Sequence, residues 1–364
     1  MQMFDVNLRN FDNDEMIELK KKMNNYLKQA REQAKDKCCL ICGQEKGFCD
    51  SHTIPQFCLK NIAWNGKINS FYYVIDTDIM PEEMGVKNAG RMRIICRDCD
   101  GKNFQDYEKA EAYNNVPNSS VLNQIALKNS LYSIYKHKSE IEMYNISKMI
   151  MQEKDPILGY LFSDLINAQI EARNLDLQES CEIFSSVLQD CENNNSNFRL
   201  VSFDRLDYTV PIAFQGMIAL VTGVNGEIIN DNYNDNTGYK IEYLHIAVFP
   251  LEDSTAVLMF LPNAYQRYEQ FEKYIANECL EKRLEIINRI IFLYAEDYYL
   301  SKEVPDSIIE ELNMQARLTQ DMFSMDPEKS TQNAVKDFDL RRETCIPNLL
   351  SSEYSIQNLM NDKN

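Results

Sequence analysis

The sequence predicts an α+β protein: a cysteine-rich metal-binding module near the N-terminus, a mostly helical region, then a small β-sheet packed with long helices. Three observations carry this. Two C-x2-C pairs bracket a histidine (Cys39 and Cys42, His52, Cys96 and Cys99). Apolar residues recur at helical spacing through residues 120–190, as in Val121, Leu122, Ile125, Leu127, Leu131 and Ile134. Short apolar runs bounded by turn residues follow, including 210–214, 217–221, 244–249 and 256–260, and these read as strands.

Taken in order, Asp12, Asn13 and Asp14 are good helix caps. Met16, Leu19, Met23, Tyr26, Leu27, Ala30 and Ala34 behind them predict an amphipathic helix over 14–36. Within the cysteine segment, residues 43–47 read as a turn, 71–75 and 92–95 as strands, and 99–112 as a helix with Phe104 and Tyr107 on its apolar face. The Asn-rich stretch 193–197 breaks the helical region and marks a boundary. A helical pattern resumes from Ala264 to about Leu300, with another helix expected over 304–324. The expected divisions are an N-terminal helix at 1–37, the metal-binding domain at 38–112, a helical region at 113–192, an α+β domain at 198–325, and a flexible tail at 326–364.

Charge separates these parts. The net charge is −18. Residues 1–110 hold 17 basic and 17 acidic side chains, so the remaining 21 basic and 39 acidic residues carry the whole excess. Nucleic acid is repelled by such a surface at long range, so only the neutral cysteine segment is electrostatically free to approach it. The acidic C-terminal region is expected to present a surface to a protein partner. No apolar run reaches the roughly 18 residues a membrane span needs, so no membrane association is expected. Residues 1–14 lack the apolar stretch of a secretory signal. Eleven cysteines in such a chain are expected to be reduced in a cytoplasm, as ligands or core residues.

Zinc wants four ligands in a tetrahedron, and a C-x2-C turn places two thiolates on one ion. Cys39, Cys42, Cys96 and Cys99 are therefore the expected structural zinc ligands, with Cys38 competing for the place of Cys39. A histidine between the pairs suits proton abstraction near neutral pH.

The order Cys39-x2-Cys42, Ser51-His52-Thr53-Ile54-Pro55, then Cys96-x2-Cys99-Asp100 with Phe104 and Glu108 beyond, resembles the zinc-containing HNH endonucleases of the ββα-metal, or His-Me finger, superfamily. It is most similar to the bacterial S-H-x-I-P…C-x-x-C-(D/E) type. The resemblance covers residues 38–110. It implies a zinc-bound treble clef as scaffold, with His52 as general base for metal-dependent hydrolysis of phosphodiester bonds in DNA or RNA. It also implies a second, catalytic Mg²⁺ or Mn²⁺ held by Asp100, with Asp50 and Glu108 as further ligands. Asn88, or else Asn103, would orient the histidine, while Arg97 and Lys102 would contact phosphate. By the same resemblance the protein would belong with mobile-element or phage-defence components of bacteria. The chain departs from the pattern at three points: Ser51 stands where an acidic residue commonly precedes the histidine, Asp100 replaces the final histidine, and Asn88 lies eight residues before Cys96. The competing reading is a non-catalytic zinc adaptor, with His52 hydrogen-bonded inside the scaffold.

The remaining candidates are weaker. His137 between two lysines is expected on a solvated helix face, and His245 in a strand core. Three histidines do not easily assemble a Ser-His-Asp or Cys-His centre. Neither a phosphate-binding P-loop nor a dinucleotide-binding glycine motif is present. Cys181, Cys191, Cys279 and Cys345 lack ligand spacing. Tyr72, Tyr73 and Trp64 are expected to pack rather than stack on bases.

Overall fold

A computed structural model describes residues 13–72, 80–154, 156–231, 234, 236, 238–312, 340 and 346–361. The elements in chain order begin with α1 (Asn13–Gln33), β1 (Ser51–His52), α2 (Gln56–Asn61), β2 (Lys67–Tyr72), β3 (Met80–Gly85), β4 (Arg91–Met92) and α3 (Arg97–Asn103). Three helices follow: α4 (Ser119–Lys154), α5 (Pro156–Leu161) and α6 (Ser163–Asn193). The C-terminal half holds β5 (Phe198–Leu206), β6 (Ile212–Ile218), β7 (Leu244–Pro250), β8 (Thr255–Pro262), α7 (Glu269–Asn277), α8 (Leu280–Tyr294), β9 (Asp297–Leu300) and α9 (Ile356–Asn361).

One seven-stranded antiparallel sheet in the order β3-β2-β9-β6-β7-β8-β5 organises the molecule. It is the middle of three layers. Alternate residues along a strand face opposite ways. Ile246 and Val248 of β7, with Val257, Met259 and Leu261 of β8, join the core under α7 and α8. Ala247, Phe249, Ala256, Leu258 and Phe260 join the core shared with α4, α6 and the cysteine module. Burial on both faces explains why β7 and β8 read as continuous apolar runs rather than as an alternation.

The sheet is larger than the sequence suggested, because β2 and β3 belong to it. Asn69 pairs with Leu300 and Phe71 with Tyr298, so a hairpin from the 38–112 segment extends the sheet of the C-terminal region. The boundaries expected at 112 and 198 are therefore crossed by one continuous sheet. The expected strand at 71–75 is β2 as far as Tyr72; residues 73–75 lie outside the described residues.

Other elements differ from expectation for local reasons. Met92 to Ile95 is a strand only over 91–92, because the Ile94 and Ile95 carbonyls turn to accept the backbone N–H groups of Leu40 (3.1 Å) and Cys49 (3.0 Å). The helix expected over 99–112 ends at Asn103, whose side chain returns to the Cys99 carbonyl at 2.8 Å; a short 3₁₀ turn at Ala110–Tyr113 follows. The helical stretch 264–300 divides into α7, α8 and the strand β9. Asn194 ends α6 in the left-handed conformation (φ 52°), so the Asn-rich break is a helix C-cap. Residues 306–312 are helical, whereas 313–324 lie outside the described residues.

The flexible tail expected at 326–364 needs correction where it is described. Leu349 and Leu350 are fully buried in the α7–α8 core. Asn288 of α8 donates to the Pro347 carbonyl (2.9 Å) and accepts from the Leu349 N–H (3.0 Å), and Ile356 N–H bonds the Thr209 carbonyl (2.9 Å). The polar composition hid two leucines and an isoleucine that anchor residues 346–361. Residues 326–339, 341–345 and 362–364, Cys345 among them, lie outside the described residues.

Candidate metal centre and the buried lysine beside it

Cys39, Cys42, Cys96 and Cys99 converge, with their sulfur atoms all within 4.8 Å of one another. A tetrahedral zinc with Zn–S of about 2.3 Å requires sulfurs about 3.8 Å apart; Cys42 Sγ and Cys96 Sγ are 4.0 Å apart. The donor set thus fits a metal ion such as zinc. Cys38 is exposed and outside the cluster.

The local sequence builds this geometry. Gly43 takes φ +66°, closing a turn in which its N–H bonds the Cys39 carbonyl (2.8 Å) while Cys39 N–H bonds the Gln44 carbonyl (2.9 Å). Cys96 is the N-cap of α3 and Cys99 lies in its first turn, so the helix start sets the spacing of this pair. The Cys96 N–H donates to Cys39 Sγ at 3.3 Å, joining the two pairs. Burial and the three neighbouring sulfurs push the Cys99 thiol upward, a cost that a bound cation offsets.

Next to this cluster β1 pairs with β4, Ser51 opposite Met92 and His52 opposite Arg91. Ser51 is buried and donates to Asp100 Oδ1 at 2.7 Å. Both groups are held by Lys128 of α4. Its Nζ donates to Ser51 Oγ (2.9 Å) and Asp100 Oδ1 (3.1 Å), lies 3.9 Å from Glu108 Oε1, and sits 3.5 Å from the centre of the Phe104 ring. Lys128 is 0% exposed. Burial lowers its affinity for a proton, while Asp100 and Glu108 oppose that shift. Desolvation pushes Glu108 upward. A buried ammonium is tolerated only with such partners, and the aromatic face adds a cation–π contact.

The remaining expected site residues lie around this centre. His52 is half-buried. Its Nε2 is buried without a hydrogen-bond partner, and a hydrogen bond to the Lys87 backbone holds the ring. Desolvation, then the charges of Lys128 and Arg91, hold its pKa below the ordinary histidine value. Asp50 faces away from the lysine centre and is clamped by Arg91 Nη1 (3.0 Å) and Arg93 Nε (2.5 Å), with Arg93 chiefly depressing its pKa. Asn88 is exposed in the β3–β4 connection, its N–H on the Gly85 carbonyl. Asn103 caps α3 as described, while Arg97 and Lys102 are exposed. Asp100 and Glu108 are thus brought together with Ser51, and Asp50 and Asn88 are not.

The sequence reading missed Lys128 because its partners come from other elements. One signal was available: its helical spacing from Val121, Ile125 and Leu131 places it on a buried face. His137 also departs from expectation. Rather than lying on a solvated face, its Nδ1 is 3.2 Å from buried Glu140. His245 is a core histidine, 3.0 Å from Asn129 Nδ2 and stacked 4.7 Å from Phe260.

A buried polar chain ties the cysteine module to the sheet. Tyr107 donates to Gln215 Oε1 (2.7 Å), Gln215 donates to Asn129 Oδ1 (2.8 Å), and Asn129 reaches His245. Trp64 is 44% exposed, at a turn rather than in the core. Among the described residues, no helix is long and apolar enough to cross a membrane. No family model, curated protein or solved structure matches the chain.

Proposed function

We propose that residues 38–112 form a zinc-stabilised, HNH-like treble clef that is not catalytic, and that the protein acts as a zinc-dependent cytoplasmic binding or regulatory protein. One observation carries the reading: the fully buried Lys128 ammonium bonds Ser51 and Asp100 and faces Glu108. Two of the three carboxylates expected to hold Mg²⁺ or Mn²⁺ thereby already serve a positive charge. The third, Asp50, is neutralised by Arg91 and Arg93. A divalent ion would have to displace the fully buried Lys128 ammonium from its carboxylates, at the cost of an unpaired buried charge.

A second reading, an HNH-type endonuclease acting on DNA or RNA with His52 as general base, is favoured by the unpartnered His52 Nε2 and by the desolvation that lowers the ring's pKa from its ordinary value. Incubating supercoiled plasmid and a structured RNA with the full chain in Mg²⁺, Mn²⁺ and Ni²⁺, with bound zinc quantified, separates the two. The first reading expects about one zinc per chain and no cleavage in any metal. Cleavage that is lost in His52→Ala with zinc retained would overturn it in favour of the nuclease.

A further inference from the structure

The four sulfurs of the cysteine cluster are not equivalent. Cys39, Cys96 and Cys99 are buried, whereas Cys42 is exposed and opens a run of exposed residues that ends at Gly47. The Cys39 sulfur is further engaged by the Cys96 N–H, which it accepts at 3.3 Å. Across the two C-x2-C pairs, Cys42 Sγ and Cys96 Sγ lie 4.0 Å apart. A disulfide needs about 2.0 Å, so bonding these two sulfurs asks for roughly 2 Å of movement, the scale of a side-chain rotation at exposed Cys42.

A metal-bound cysteine is a thiolate. Thiolate character together with solvent access decides which sulfur a peroxide oxidises. Among the four ligands Cys42 alone combines the two.

We propose that the cluster is a redox switch in which a hydroperoxide oxidises Cys42, Cys96 resolves it, and the Cys42–Cys96 disulfide releases the metal. With hydrogen peroxide, the Cys42 thiolate attacks one oxygen; an S–O bond forms, the O–O bond breaks, and a sulfenic acid results. The Cys96 thiolate then attacks the Cys42 sulfur; the S–S bond forms and the S–O bond breaks. In each step hydroxide leaves and takes up a proton, so two thiolates lose two electrons and the peroxide becomes two waters. Two thiols, themselves joined as a disulfide, reverse the bond by exchange.

Cys39 and Cys99 are then the remaining ligands, and a pair does not make the tetrahedral set. The consequence reaches beyond the metal. Cys96 caps α3, and Asp100 of α3 is held by Lys128 of α4, so the switch acts at the joint between the cysteine module and the central helix. The inference rests on the zinc-stabilised module proposed above and stands whether or not that module is catalytic.

Zinc is first quantified in the reduced full chain; a chain without zinc would defeat the metal reading itself, and the switch with it, before any peroxide is added. The loaded chain is then titrated with hydrogen peroxide while a chromogenic chelator reads released zinc and mass spectrometry maps the disulfides. The expected result is release at about one peroxide per zinc, a Cys42–Cys96 bond, and recovery of zinc binding after dithiothreitol. A Cys42→His variant keeps a four-ligand set of three thiolates and an imidazole, and should release zinc at least about tenfold more slowly. Cys38→Ser and Cys279→Ser, which remove the two exposed thiols outside the set among the described residues, should match wild type. Zinc retained under peroxide, release without a Cys42–Cys96 bond, protection by Cys38→Ser, or release from loaded Cys42→His at the wild-type rate would overturn the switch and leave the zinc reading standing. Where Cys42→His does not load, the mapped disulfide of the wild type decides by itself.

Discussion

Lys128 Nζ and Asp100 Oδ1 are 3.1 Å apart, although they belong to different helices and different parts of the chain. The pair fixes α3, and with it Cys96 and Cys99, against the central helix α4. Replacing Lys128 with methionine keeps the stem volume and removes the charge. Asp100 then loses its cation while retaining partial contact with water, so a loss of about 3 kcal/mol is expected by denaturant unfolding. Asp100→Asn in the same background should recover part of that loss, the signature of a coupled pair. Equal stability of Lys128→Met and wild type would show that the ammonium contributes nothing.

Metal content tests the cysteine set. Cys39→Ser, Cys42→Ser, Cys96→Ser and Cys99→Ser should each abolish stoichiometric zinc in elemental analysis, whereas Cys38→Ser should retain about one zinc per chain. Chelation should lower the melting temperature, by about 2 °C for each kcal/mol lost in a chain of this size. Loss of zinc in Cys38→Ser, with retention in Cys39→Ser, would reverse the assignment.

His245 makes stability depend on acid. Burial depresses its pKa to about 3, and Asn129 Nδ2 faces its Nδ1. Between about 3 and the unfolded value of about 6.5, the unfolded chain binds the proton and the folded one does not. The stability is therefore complete above about 6.5 and falls as the pH drops toward about 3. At pH 5 the expected penalty is about 2 kcal/mol. Phe198 and Phe260 pack on the ring, so His245→Phe should flatten this acid limb relative to wild type at matched zinc. Parallel pH profiles for the two proteins would refute the assignment.

Asn288 grips the backbone of residues 347–349 with both ends of its amide. Asn288→Ala leaves a buried carbonyl and a buried N–H without partners, at about 1–3 kcal/mol. The C-terminal segment 346–361 should then be cut faster in limited proteolysis, while β6 to β8 stay protected. Unchanged cleavage would mean that Leu349 and Leu350 hold the segment unaided.

How much of this was legible in the sequence depends on where each partner sits. The C-x2-C pairs announced the metal cluster, since each pair carries its own turn. Strands β6 to β8 and the helices around 119–193 were readable from local periodicity. Long-range pairing was not: nothing local tells Lys67–Tyr72 to join β9, or places Lys128 beside Asp100. The two leucines that anchor residues 346–361 were outweighed by their polar neighbours. Asp50 and Asn88 were drawn toward the site by a motif, yet their side-chain surroundings are set by Arg91 and Arg93 and by an exposed turn.

Strand β2 sits between β3 and β9, with Asn69 opposite Leu300, a separation of roughly 230 residues. A ribosome that has delivered the metal-binding cysteines has still to deliver most of the chain before β2 gains its inner neighbour. The β2–β3 hairpin must wait as an open edge, and the four cysteines are all delivered long before the sheet that supports them. Protection of a nascent edge is thus a demand that this topology places early in the life of the molecule, before β9 exists.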